Sequence, residues 1–335
     1  MPVTVPKRAE HSTLDRVDVA VVEDVWGPAF EALGQRFSVV LEPTAWDDPS
    51  TLSRLAGRAR AIVVRNRTAV TRSLLEQAPR LQVVARAGVG TDNIDLSAAD
   101  ELGIVVVVAT GANARSVAEH ALCLALALAR DICGHERRLS QGRWERPMGA
   151  QLRDRTWGVV GMGATGTAVG ELVRSFGMKV VGYDPYLPAG ANPIPGAQRV
   201  DNLMDLAASA DVVSLHVPLT AESGGLIGRA FLSRMREGAY LINVARGELV
   251  DEEALADALE TGRLAGAALD VRRHEPPGPS RLDHLDHVVL TPHVAGLTHE
   301  AQDAVITMLA EDLRRILNGS PATRPAGTLR FPRRK

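Results

Sequence analysis

Gly158-Val159-Val160-Gly161-Met162-Gly163-Ala164-Thr165-Gly166 runs an apolar stretch straight into a G-x-G-x-x-G, and a helical period follows over 167–176. Strand, glycine turn and helix in that order begin a βαβ unit that holds a dinucleotide. The first glycine allows the tight turn, and the second leaves room for a pyrophosphate beside the backbone. The third lets helix and strand pack closely. N–H groups at the helix start then meet the phosphates. With 30 glycines in the chain the pattern alone is weak, so its context carries the argument. Asp184 ends the next apolar run, where a carboxylate accepts hydrogen bonds from ribose hydroxyls and repels a 2′-phosphate. Residues 185–192 contain no Arg or Lys to receive such a phosphate. The expected cofactor is NAD.

On both sides of this turn, β-rich runs alternate with helical patterns. Residues 17–23, 38–41, 61–64, 81–85 and 104–108 read as strands of one sheet, with helical or turn segments such as 28–36 and 72–78 between them. Residues 158–160, 179–183, 211–216, 240–244, 266–269 and 288–290 form a second series. Strands separated by single helices imply right-handed crossovers and parallel sheets. The fold class expected is α/β, with two doubly wound parallel-sheet domains. Ser116 and Glu119 have the spacing of a capping box ahead of a long apolar helix, and 298–317 reads as a final helix. That helix has only the first domain left to join. The first domain is therefore expected to be discontinuous, 1–111 with 296–335 binding substrate, and 112–295 to be an inserted Rossmann domain. The segment 318–335, with Pro, Gly and basic residues, reads as loose.

The 335 residues are 45% hydrophobic and 23% charged, with 38 Lys plus Arg against 40 Asp plus Glu. So even a balance offers no electrostatic footprint for nucleic acid. Residues 1–16 show no apolar core of a secretory signal. The longest apolar run, 121–129, falls well short of the ~20 residues of a membrane span. A cytoplasmic protein acting on a small molecule, without nucleic-acid or membrane partner, is expected. Cys123 and Cys133 fit neither a disulfide framework nor a zinc site, so no metal is expected and both thiols read as packing residues.

Further segments join the glycine turn: Gly88-Val89-Gly90-Thr91-Asp92-Asn93-Ile94-Asp95, Asn113 through His120, Asn243-Val244-Ala245-Arg246-Gly247, Asp270-Val271 with Glu275-Pro276, and Thr291-Pro292-His293. Together they make the chain resemble the D-isomer-specific 2-hydroxyacid dehydrogenases from about Val17 to Asn318. The nearest branch resembles D-3-phosphoglycerate dehydrogenases of the short type, since no regulatory domain follows the final helix. The resemblance implies a flavodoxin-like substrate domain, a homodimer through the cofactor domain, and Arg246, Glu275 and His293 as catalytic residues.

Chemistry gives independent reasons for these three. A 2-oxo acid needs a cation for its carboxylate and ketone, and a proton donor as hydride arrives. Arg246 follows a strand, where open α/β sheets place ligands, and can grip a carboxylate through two parallel hydrogen bonds. His293 follows another strand and would be the acid/base. Glu275 would orient its imidazole and favour the charged form. By position, the resemblance also places Ala164, Thr165, Asp184, Val217, Ala245, Asp270 and His293 at the cofactor, beside Gly161, Gly163 and Gly166. Asp270 would bond the nicotinamide carboxamide. Arg65, Asn66, Arg67, Gly88 and Val89 would line the substrate side with Arg246.

Blander readings stand beside these. Arg246 could be a surface arginine, Glu275 a loop-stabilising acid, and Arg65 and Arg67 a charged face. His11, His135, His284, His287 and His299 read as solvated, while His120 and His216 remain candidates for lining the cofactor. The chain departs from the family's pattern at Ala164, where arginine is common, at Arg272, where phenylalanine is usual, and at Thr110, where proline is usual. The hydroxy acid could be 3-phosphoglycerate, or the oxo acid hydroxypyruvate or glyoxylate. Alternatives are phosphite oxidation on the same scaffold, and an NAD-sensing binding protein like the family's corepressors. Glu275, where formate dehydrogenases of the family carry glutamine, argues against formate.

Overall fold

A computed structural model describes residues 17–333; His11 lies outside them. By compactness the chain divides into two units, one running to Asn113 and resuming at His299, the other spanning Ala114–Thr298.

The first unit opens with β1 (Val17–Val21), α1 (Pro28–Gly34), β2 (Val39–Leu41) and α2 (Pro49–Arg58). It continues through β3 (Ala59–Val64), α3 (Arg72–Glu76), β4 (Val83–Arg86), α4 (Leu96–Glu101) and β5 (Val105–Val108). The strands are all parallel, in the order β2-β1-β3-β4-β5, which is the flavodoxin-like winding. Alternate residues serve opposite faces. Val19, Val21, Ala61 and Val63 pack one way with Phe30 and Leu33, while Ala20, Ile62 and Val64 pack the other way with Leu55 and Leu75. Two covered faces explain why these strands read as unbroken apolar runs.

The second unit starts with α5 (Ala114–Ala129) and α6 (Ile132–Ser140). There follow β6 (Thr156–Val160), α7 (Ala164–Ser175), β7 (Lys179–Tyr183), the two-residue β8 (Gln198–Arg199), α8 (Leu203–Ser209) and β9 (Val212–Leu215). The unit closes with α9 (Arg229–Arg234), β10 (Ala239–Asn243), α10 (Glu252–Glu260), β11 (Leu264–Leu269) and β12 (Val288–Leu290). Its parallel sheet runs β12-β11-β10-β9-β6-β7-β8. Chain order reverses on either side of β6, a topological switch point of the dinucleotide-binding type. Among the described residues no helix is long and apolar enough to cross a membrane.

Several expectations are corrected. Ser116 does not cap α5, which begins two residues earlier; its hydroxyl lies 2.7 Å from that of Thr298. Cys123 and Cys133 are exposed. α5 buries Ala118, Ala121, Leu124 and Ala125, and at 100° per residue Cys123 falls on the opposite side. His287 is only half-exposed, and its Nε2 is buried without a hydrogen-bond partner.

The expected loose tail is anchored as far as the described residues go. It follows α11 (His299–Leu317), where the wholly buried Asp312 accepts bonds from the Thr323 N–H (2.7 Å), the Thr323 hydroxyl (2.6 Å) and Arg324 Nη1 (3.0 Å). The segment then pairs along β5, with Val108 N–H on Arg324 O and Ala326 N–H on Val106 O. It thereby covers an edge that would otherwise be open. Asp312→Ala removes these bonds and leaves Arg324 without its buried partner, so we expect a loss of about 2–4 kcal/mol. Denaturant unfolding measures this, and limited proteolysis should newly cut within the released segment 322–333. A loss under roughly 0.5 kcal/mol, the range of neutral surface changes, would show that the anchor lies elsewhere.

Candidate active site

At the switch point, Gly161 has φ +90°, and a Cβ there would lie 2.7 Å from Val217 Cγ1 and 2.8 Å from His216 O. A Cβ on Gly166 would come within 1.9 Å of Gly161 O. Only glycine lets α7 start this close under the turn. Around Gly163, by contrast, a Cβ would meet nothing within 4 Å. Gly163 caps α7 with no side chain, so Ala164 and Thr165 begin a 12-residue helix at an open, positive end suited to an anion.

Asp184 lies beside this turn. Its Oδ2 accepts the Met162 N–H (2.9 Å) and its Oδ1 the Tyr186 N–H (3.0 Å), and each oxygen keeps a further acceptor site. Arg199 on β8 was not foreseen from the sequence. Its guanidinium donates to the carbonyls of Pro188 (2.6 Å), Ala191 (2.9 Å) and Leu187 (3.0 Å), and approaches that of Asp184 (3.5 Å). The loop after Asp184 thus holds a cation committed to its own backbone. His216 shares the Ser214 hydroxyl with Trp157, whose Nε1 donates to it (2.7 Å) while His216 Nε2 lies 2.7 Å away. Burial pushes the His216 ring down to about 3, so it is neutral near pH 7. It supports the turn through its backbone.

Arg246 stands two residues beyond Val244 in a turn set by Asn243, which is fully buried. Asn243 Nδ2 donates to Arg246 O (2.8 Å), its Oδ1 accepts the Ala245 N–H (3.1 Å), and Arg246 Nη1 donates to Ala245 O (2.7 Å). A Cβ on Gly247 would lie 2.0 Å from Arg272 C. This turn is therefore seated against the backbone that follows β11.

That backbone leads to the pairing of His293 with Glu275. His293 Nδ1 is 2.7 Å from Glu275 Oε2, both side chains are partly exposed (47% and 38%), and Glu275 Oε1 accepts the Arg272 N–H (3.2 Å). His293 has φ +57°, a left-handed conformation that costs a non-glycine residue roughly 1 kcal/mol or more. Asp270 imposes it. Its backbone oxygen accepts the His293 N–H (2.7 Å), its Oδ1 the Thr291 hydroxyl (2.6 Å) and the Val294 N–H (2.9 Å), and its Oδ2 the Ala295 N–H (2.9 Å). His120 Nε2 lies 3.2 Å from the Thr291 hydroxyl and 3.5 Å from Asp270 Oδ1. Burial pushes the Asp270 carboxyl up, but these bonds outweigh it and hold it below its usual range. The turn's charge-assisted bonds are thus present above the ordinary aspartate value, and are lost only as pH falls through the lowered one. With 0% side-chain exposure, Asp270 holds the turn together from beneath.

The other unit carries the remaining candidates. Glu23, buried at the end of the first apolar run, accepts the N–H groups of Arg65 (2.6 Å), Arg67 (3.2 Å) and Thr68 (3.0 Å). Asn93 Nδ2 donates to Arg65 O and Thr68 O, and Asn66 is left exposed at the tip. The Arg67 guanidinium lies 4.7 Å over the Trp46 ring. Val89 is exposed and Gly88 half-exposed. The Arg86 guanidinium occupies the space a Gly88 side chain would need. The bracing by Glu23 and Asn243 and the place of Arg86 beside Gly88 were not apparent from the sequence. For the first two the signal was present, a polar residue ending an apolar strand.

Residues 122–295 match the family model described as D-isomer specific 2-hydroxyacid dehydrogenase, NAD binding domain. The chain is 43% identical over 279 residues to the D-3-phosphoglycerate dehydrogenase of Methanocaldococcus jannaschii, covering 83% of this chain and 53% of that protein. It therefore spans about half the length of the curated relatives it matches. Among solved structures, a 2-hydroxyacid dehydrogenase from Ketogulonicigenium vulgare superposes with TM-score 0.80 at 30% identity, covering 95% of this chain and 99% of that one. The NADPH-dependent glyoxylate/hydroxypyruvate reductase of Sinorhizobium meliloti, solved with NADP and malonate, gives 0.82 at 30% identity, with 96% and 99% covered. The glycine turn, Asp184 and the His293–Glu275 pair all lie within the matched segment or at its edge, and the chain belongs to the D-isomer-specific 2-hydroxyacid dehydrogenase family.

Proposed function

We propose that the protein is an NAD-dependent dehydrogenase moving a hydride between the cofactor and C2 of a small D-2-hydroxy or 2-oxo acid. The observation that carries this reading is the 2.7 Å contact of His293 Nδ1 with Glu275 Oε2, beyond β11 and β12 of the sheet that bears the glycine turn. In this reading Ala114–Thr298 is the cofactor unit, and the unit bearing Arg65, Asn66, Arg67, Gly88 and Val89 receives substrate. The open helix start at Gly163–Thr165 takes the pyrophosphate and Asp184 takes the ribose. Val217 and Ala245 line the pocket, and Asp270 acts through the turn it holds. NAD(H) supplies or accepts the hydride when bound. Arg246 pairs with the substrate carboxylate and polarises the C2 carbonyl. His293 Nε2 gives the proton to the C2 oxygen in reduction and takes it in oxidation, with Glu275 holding the ring. The names of the relatives favour 3-phosphoglycerate, with hydroxypyruvate or glyoxylate next. Exposed Ile132, Leu139, Trp144 and Met148 on and after α6 suit a homodimer through this unit. The direct test is NADH consumption with 3-phosphohydroxypyruvate, hydroxypyruvate, glyoxylate and pyruvate. Turnover of at least one is expected, and none with all four would refute the proposal.

Cofactor choice follows from Asp184 and from the commitment of Arg199 to backbone carbonyls. NADH should exceed NADPH in kcat/KM by about tenfold or more, equivalent to ~1.4 kcal/mol. Arg199→Met frees the loop and should raise KM for NADH while leaving kcat near wild type. Equal use of the two cofactors by the wild type would contradict this, as would an unchanged KM in the variant.

Proton transfer sets the pH response. Reduction needs His293 protonated, so reductive kcat/KM should hold at low pH and fall as pH rises, while the oxidative rate climbs over the same range. Glu275→Gln removes a neighbouring negative charge that favours the imidazolium, and its reductive limb should move to lower pH. Coincident limbs for wild type and variant would remove Glu275 from the pair.

A further inference from the structure

Among the described residues Arg272 is the one arginine that is buried. Its guanidinium grips Glu252 in two-point fashion, Nε to Oε1 at 3.1 Å and Nη2 to Oε2 at 2.8 Å, and reaches Asp283 Oδ1 at 3.2 Å. Glu252 opens α10, the helix that follows the Arg246 turn, and also accepts the Arg273 N–H (3.1 Å). Burial pushes the Glu252 carboxyl up, yet Arg272 and the Arg273 N–H hold it below its usual range. Asp283 sits in the short 3-10 turn Arg281–His284 and caps it with Ser280, its Oδ2 accepting the Ser280 N–H (2.8 Å). One guanidinium thus fastens both ends of the loop carrying Glu275. The backbone of Arg272 adds two contacts: its N–H donates to Glu275 Oε1, and its carbonyl carbon fills the space beside Gly247. Arg273 and His274, the other cationic or titratable side chains of this loop before Glu275, are exposed.

We infer that Arg272 is a positioning residue. Its clamp on Glu252 and Asp283 keeps Glu275 within reach of His293 and seats the Arg246 turn against the same backbone, so it governs the acid–base step without touching substrate. The inference rests on the reading of His293 and Glu275 as the acid–base pair. Planar two-point gripping matters here, because an ammonium cannot span Glu252 and Asp283 in the same way.

The test compares wild type, Arg272→Met, Arg272→Lys, Glu275→Gln and the Arg272→Met/Glu275→Gln double variant by NADH fluorescence titration, kcat and KM for the oxo acid, and reductive pH profile. Arg272→Met should bind NADH as wild type does and lose about tenfold or more in kcat, a part of the roughly 10²–10⁴-fold that a general acid contributes. Its reductive limb should move to lower pH, as in Glu275→Gln. The double variant should lose little beyond Glu275→Gln alone, because both changes act on one pair. Arg272→Lys should recover only part of the rate. A wild-type kcat and profile in Arg272→Met would overturn the inference. So would a lowered kcat with an unmoved limb and full additivity, the mark of a merely structural residue. Should Arg272→Met fail to fold, Glu252→Gln, which removes half of the clamp, must shift the limb the same way, and an unmoved limb there overturns the inference. No NADH-dependent reduction by the wild type would instead overturn the acid–base reading beneath it.

Discussion

A carboxylate with no contact with solvent stands at the end of β11, and the geometry of the proposed acid–base pair, His293 with Glu275, depends on it. Burying an ionised Asp270 would be costly in isolation. Two backbone N–H groups and the Thr291 hydroxyl, with His120 close by, offset that cost through charge-assisted bonds. The donors come from residues 291–295, so satisfying the charge fixes the path of the chain through His293. The left-handed backbone of His293 is then held by several bonds together. Its ring is left partly exposed, with Nδ1 turned to Glu275.

The same device recurs at three other places where loops bearing candidate residues leave the sheets. Glu23 gathers the N–H groups of Arg65, Arg67 and Thr68, Asn243 closes the Arg246 turn, and Asp184 ties Met162 to Tyr186. Parallel strands all deliver their loops at the same edge of a sheet. An acid or amide at or just past a strand end collects N–H groups that the sheet no longer pairs, and the loop it holds, its own or a neighbouring strand's, is braced from beneath. Arg272 applies the converse, one cation gathering carboxylates from α10 and from the turn near Ser280. The sheets supply position and these buried polar groups supply orientation.

Most of this was legible because buried parallel strands leave unambiguous apolar runs, and because G-x-G-x-x-G between a strand and a helix has one well-defined geometry. Lys179–Tyr183 and Val288–Leu290 coincide with the observed strands, and the other strand limits differ by one or two residues, where pairing rather than composition sets the end. What stayed hidden depended on long-range partners. Two residues of β8 carry no periodic signal, so Arg199 could not be placed beside the loop after Asp184. The polar segment after Asn318 is ordered as far as it is described by a carboxylate on α11 and an open strand edge, neither of them encoded in its own composition. Cys123 lies in an apolar helix, but only the side facing the sheet is covered. The hold of Asp270 on residues 291–295 likewise depends on partners some twenty residues away in sequence.

The dependence of the acid–base geometry on Asp270 is most directly tested by single-turnover reduction in Asp270→Asn. The amide nitrogen would face backbone donors that the carboxylate now accepts, releasing the 291–295 turn while the glycine turn and Asp184 remain. With NADH bound beforehand and the oxo acid mixed in, hydride transfer should slow by on the order of 10²–10³, with NADH affinity retained. Transfer at the wild-type rate in Asp270→Asn would contradict the claim that this buried charge positions His293.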